Sequence, residues 1–109
     1  MAYDEGLAQR IREVLHDQPG LVEKKMFGGL AFMINGNMSI GVVKHDLMVR
    51  VGAEAYQQTL EHPDAREMDF TGKPLKGFVY VDGSAVESDE KLSEWIDRGQ
   101  QFALSLPAK

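Results

Sequence analysis

Apolar residues recur along this chain at two different periods. From Asp4 to Asp17, Leu7, Ala8, Ile11, Val14 and Leu15 fall three and four apart, the spacing that gathers side chains on one face of a helix, and Asp4 can cap the free amides at its start. Gln18-Pro19-Gly20 ends that helix, because proline disfavours helical geometry in the residue before it. Val22 to Phe27 reads as an extended segment or a short edge, and Gly28-Gly29 predicts a bend or bulge. The period then shortens. Leu30 to Ile34, Met38 to Val43 and Leu47 to Val51 have strand length, and Asn35-Gly36 between the first two is a strong hairpin signal. These three strands form an antiparallel meander.

Helical spacing returns from Ala53 to Glu61 and stops at His62-Pro63-Asp64. Two further strands, Arg66 to Phe70 and Leu75 to Val81, flank a turn at Thr71-Gly72-Lys73-Pro74. Ser88, followed by Asp89 and Glu90, starts a last helix by capping its amides and complementing its dipole. Its apolar stripe is Leu92, Trp95, Ile96, Gly99, Phe102, Ala103 and Leu106. Gly99 costs about 1 kcal/mol of helix propensity against alanine, which predicts that the helix packs closely on something there. The order α-β-β-β-α-β-β-α predicts an α+β fold of two layers, an antiparallel sheet of about five strands packed with helices, in one domain over residues 1–109.

A two-residue loop at Asn35-Gly36 pairs Met33 with Met38 and, in straight register, Ala31 with Ile40. Alternation then puts Ala31, Met33, Met38, Ile40, Val42, Leu47, Val49 and Val51 on one face, the expected core. The other face carries Leu30, Phe32, Ile34, Val43 and Met48 beside Ser39, Gly41 and Arg50, too apolar to stand bare in water.

Composition narrows the function classes. The 109 residues carry a net charge of −5, and Lys24-Lys25 is the only adjacent basic pair, so direct binding to a nucleic-acid polyanion is disfavoured. Without cysteine there is no disulfide, thiolate nucleophile or Cys-type zinc site. The first residues lack the blocks of a signal peptide and no apolar run reaches the ~20 residues of a membrane span, which predicts a cytoplasmic protein without a membrane partner.

Candidate chemistry is sparse. His16, His45 and His62 have no metal-ligand spacing and read as surface residues. Asp64 with Glu67, and Glu87 with Asp89 and Glu90, read as loop and helix-start acids, since acid/base work needs burial that separates two pKa values. No nucleophile elbow, dinucleotide fingerprint or phosphate loop is present. No catalytic residue, metal or cofactor is expected.

Lys25-Met26-Phe27-Gly28-Gly29 leading into the meander, the strand Leu47-Met48-Val49-Arg50-Val51, the later Gly77-Phe78-Val79-Tyr80-Val81 and the Leu92-Ser93-Glu94-Trp95 helix together resemble the amino-terminal domain of the TfoX/Sxy family. The resemblance covers almost the whole chain. It implies a secretion-chaperone-like two-layer fold and a non-enzymatic interaction module, often dimeric. Longer family members regulate natural competence, are thought to act as coactivators with the cAMP receptor protein, and carry a helical carboxy-terminal domain, which this chain is expected to lack.

Two functions are therefore expected. The first is a regulatory or adaptor module, homodimeric and serving an unknown protein partner through Phe27, Leu30, Phe32, Ile34, Met48 and Arg50. The second is a small-molecule-binding domain with a pocket between the sheet and the last helix, lined by Lys25, Phe78, Tyr80 and Trp95.

Overall fold

The computed structural model describes residues 3–26, 28–69 and 74–108. Helix α1 spans Glu5–Val14, followed by strands β1 (Leu21–Met26), β2 (Gly29–Ile34), β3 (Asn37–Val43) and β4 (Asp46–Arg50). Helix α2 (Tyr56–Leu60) precedes β5 (Ala65–Asp69) and β6 (Pro74–Asp82), and a single 3-10 turn (Gly83–Val86) leads to α3 (Asp89–Leu104). The described residues form one six-stranded antiparallel sheet in the order β1-β2-β3-β4-β6-β5. All three helices contribute to one core on one face of it. The fold is thus the expected two-layer α+β arrangement. The sheet gains a sixth strand because Leu21–Met26 pairs along its whole length with β2. The turn expected at residues 71–73, with Phe70, lies outside the described residues.

The predicted caps are in place. Asp4 accepts from the Leu7 amide at 3.1 Å and Ser88 from the Lys91 amide at 3.2 Å, each satisfying a donor that the helix itself cannot. Helix α2 is shorter than its apolar spacing suggests, since Ala55 at its start has no side chain to cap with.

One local departure changes which residues face the helices. Met33 pairs with Met38 as expected, but Phe32 then pairs with Ile40 and Ala31 with Gly41, so Ser39 is an extra residue bulged out of β3. A single inserted residue reverses the inside and outside of everything beyond it. Leu30 and Phe32 therefore join Ile40, Val42, Leu47, Val49, Val79 and Val81 beneath the helices, with Phe32 fully buried. Ala31 and Met38, assigned by the straight register to that core, lie on the opposite face with Met48 and Met68. The bulge lies directly against α3. A Cβ added at Gly99 would stand 2.6 Å from the Ser39 carbonyl oxygen, so the helix lies directly on the bulged backbone.

The lead-in to the meander is also tightly made. Gly28 has φ 73°, a left-handed conformation that side chains resist, and the Val42 carbonyl occupies the space that a Cβ on Gly29 would need.

Two outcomes follow. Gly99→Ala, which improves helix propensity, should nevertheless destabilise the fold by about 1–3 kcal/mol in urea unfolding, because its methyl meets the Ser39 backbone. Phe32→Ala should cost about 3–5 kcal/mol, as befits a core position and unlike a surface one.

Candidate functional site

The residues expected to form one interaction face are divided by the bulge. Leu30, Phe32 and Ile34 are at most 5% exposed, and Leu30 and Phe32 belong to the helix-covered core. Met48 is buried on the other face, and Arg50 is half-buried. Phe27 lies outside the described residues. The expected pocket is divided in the same way: Trp95 is in the main core, Phe78 and Tyr80 border the opposite cluster, and Lys25 is exposed on β1.

The helix-free face closes on itself. Ala31, Met38, Met48 and Met68 are buried there, with Met26, Met33, Val43, Leu75, Phe78 and Tyr80 packed partly over them. Five methionines fill this second, smaller core, where flexible thioethers suit an irregular space. Met33 and Met38, assigned from the straight register to the main core, belong here instead.

Charged residues point to a different place. Of the five arginines, Arg10 pairs with Asp89 at 3.2 Å, Arg12 with Glu23 at 2.7 Å and Arg66 with Asp46 at 2.7 Å. Arg50 and Arg98 have no carboxylate partner among the described residues and rest on aromatic rings. The Arg98 guanidinium sits 4.7 Å from the Trp95 ring centre, and that of Arg50 sits 5.1 Å from Phe102 and 5.5 Å from Phe78. Among the described residues the Arg50 side chain donates a single hydrogen bond, a long one of 3.4 Å, to the Met38 carbonyl.

Phe102 joins the two. On one side it carries Arg50; on the other it lines a cleft of about 330 Å³ together with Val51, Ala55, Thr59, Arg98 and Gln101. The cleft lies between α2 and α3, where β4 ends. Its walls follow from helix geometry: Trp95, Arg98 and Phe102 stand three and four residues apart, so they share one side of α3. Trp95 turns into the core, where the His62 ring meets it edge-on at 5.0 Å. Phe102 remains half-buried at the cleft. Thr59 donates its hydroxyl proton to the Ala55 carbonyl at 2.7 Å, leaving only lone pairs for anything in the cleft. Arg98 was not among the expected site residues; its signal in sequence is this aromatic, cation, aromatic spacing.

Groups with displaced pKa values lie elsewhere and have structural causes. Burial, then the charge of Glu67, raises that of the Tyr56 hydroxyl, which has no hydrogen-bond partner among the described residues. The Glu23 carboxylate raises that of Arg12. Glu5, by hydrogen bonding and then by its charge with burial between, raises that of Tyr3. Asp82 lies below its ordinary value because the Ser84 amide and hydroxyl both donate to it at 2.9 Å. Asp82 lines a second cavity, of about 440 Å³, with Asp4, Arg10 and His45. Among the described residues no three His, Asp or Glu side chains gather as a metal site would require.

A small α+β domain, with one sheet face under helices, the other closed by methionines and a cleft at the rim of the helix layer, is the class of protein defined here. The family model of the TfoX N-terminal domain matches residues 13–103, and the chain belongs to that family. No curated protein and no solved structure matches it. Among the described residues no helix is long and apolar enough to cross a membrane.

The Asp82 turn has a pH signature. A carboxyl lowered in the folded state contributes stability that is present above its unfolded value and lost as pH falls through the folded one. Asp82→Asn should therefore flatten the acid limb of the stability profile below about pH 4, read as a smaller change in melting temperature between pH 5 and pH 3.

Proposed function

We propose that this domain is a non-enzymatic protein-interaction module with a regulatory or adaptor role, of coactivator type and without direct DNA contact, that works as a homodimer. Family membership and a net charge of −5 support the first part. The observation that carries the dimer is the outer edge of β1. This strand pairs with β2 alone among the described strands, and its Val22 is 59% exposed, the most exposed large hydrophobic residue described.

An unpaired edge offers a row of backbone donors and acceptors to another strand. A second copy can add to it antiparallel about a two-fold axis through Lys24, which keeps both helix layers on one side of a continuous sheet. That register sets Glu23 opposite Lys25 of the other copy and Val22 opposite Met26, twice each, favourable pairs in both cases. Lys24 against its own copy is the one repulsive pair of this register, outnumbered by the two Glu23–Lys25 pairs. Sedimentation should show a dimer at tens of micromolar that Val22→Lys converts to monomer without lowering the melting temperature; a wild-type monomer across salt concentrations refutes the assembly.

A second reading, a small-molecule-binding domain, is favoured by the cleft between α2 and α3. Its volume, about 330 Å³, lies at the small end of the roughly 300–1,000 Å³ typical of ligand sites.

A further inference from the structure

We propose that the cleft between α2 and α3 is a receptor for a small organic monocarboxylate, with Arg98 binding the carboxylate and Phe102, Val51 and Ala55 receiving the apolar body. The proposal rests on reading the cleft as a ligand site, and names the chemistry of the ligand.

Three features converge on an acid. First, Arg98 is exposed, lines the cleft and, among the described residues, rests on the Trp95 ring, 4.7 Å away. A guanidinium over an aromatic face keeps its in-plane N–H donors free, and their fork geometry matches the two oxygens of a carboxylate. In a chain whose other three described arginine pairs are made with Asp or Glu, an arginine placed at a cleft without such a partner is a cation with an open valence for one. Second, Thr59 has committed its proton to the Ala55 carbonyl, so the strong donor facing the ligand is Arg98, and an anion has one place to bind.

Third, apart from Gln101, whose side-chain amide donates to Asp97 at 3.4 Å, the remaining lining is apolar. Val51 is buried at the end of the sheet, Ala55 is half-buried, and Phe102 presents a ring that packs on Gly52 and carries the Arg50 guanidinium at 5.1 Å. Arg50 fixes the orientation of that ring and adds positive charge behind it, which makes it a positioning residue. A ligand with one charged end and a flat or compact apolar body satisfies all of these surfaces. Phosphate fits less well: it brings up to two negative charges and no apolar surface to an acidic domain, and leaves Phe102, Val51 and Ala55 uncovered.

Trp95 is the only tryptophan of the chain, and its emission reports whether Arg98 remains on its ring. Phenylacetate should shift that emission saturably, while its neutral isostere phenylacetamide and inorganic phosphate should each bind at least tenfold more weakly. Arg98→Gln, which also removes the contact that Trp95 reports, should abolish phenylacetate binding measured by calorimetry, with an unchanged melting temperature. Arg98→Lys, which keeps the charge and loses the fork, should weaken it about tenfold, and Arg50→Gln should weaken it without abolishing it. Equal binding of phenylacetamide leaves a ligand cleft but overturns the assignment of an acid, and so does phosphate binding as tightly as phenylacetate. A phenylacetate response untouched by Arg98→Gln overturns the site, and no saturable response to any probe overturns both the acid and the ligand-site reading beneath it.

Discussion

The contact between Gly99 and the Ser39 backbone governs the arrangement of this domain. A glycine within α3 lets the helix descend onto β3 at the place where one extra residue is accommodated. That residue sets the parity of β2 against β3, and parity decides which apolar residues meet the helices. With it, Phe32 and Ile40 share the helix-covered core, and Ala31 and Met38 pass to the other face. The helix penalty of glycine, about 1 kcal/mol, is small beside the several large side chains whose burial this close approach permits.

The two-layer architecture was legible in sequence because it rests on periodicity, caps and turns, all of which are local. Asp4 and Ser88 cap the helices they precede, and Asn35-Gly36 closes the hairpin at the expected pair, Ile34 with Asn37. The bulge was not legible, because the helix that packs on it is sixty residues away along the chain and nothing within Met38 to Val43 distinguishes a straight strand from one with Ser39 displaced. Gly99 was recognised as a sign of close packing, yet its partner could not be named without the fold. The candidate site suffered from the same gap. Its expected members were chosen by straight alternation, and they were distributed over two faces once the register moved. Arg98 escaped notice because a charged residue beside a buried stripe reads as a solvated one; only the structure shows that it, unlike Arg10, Arg12 and Arg66, sits without an acid.

The second sheet face shows how an antiparallel sheet can dispense with a helix on one side. Ala31, Met38, Met48 and Met68 are buried there without any helix contributing to their cluster. Long unbranched thioethers reach across neighbouring strands where branched side chains would leave gaps. Gly41, between Ala31 and Met48 in the pairing, supplies the space they fold into. Apolar character at this face is consequently used within the chain, and the polar and basic features at the rims of the molecule become the more informative guides to its partners.

The bulge also has a place in time. Every strand precedes residue 83, and α3 begins at Asp89, so a ribosome delivers the complete sheet before the glycine that seats its irregularity. The last helix is thus the final element to reach the sheet, and the surface against which the Ser39 bulge packs is complete only once Gly99 has emerged.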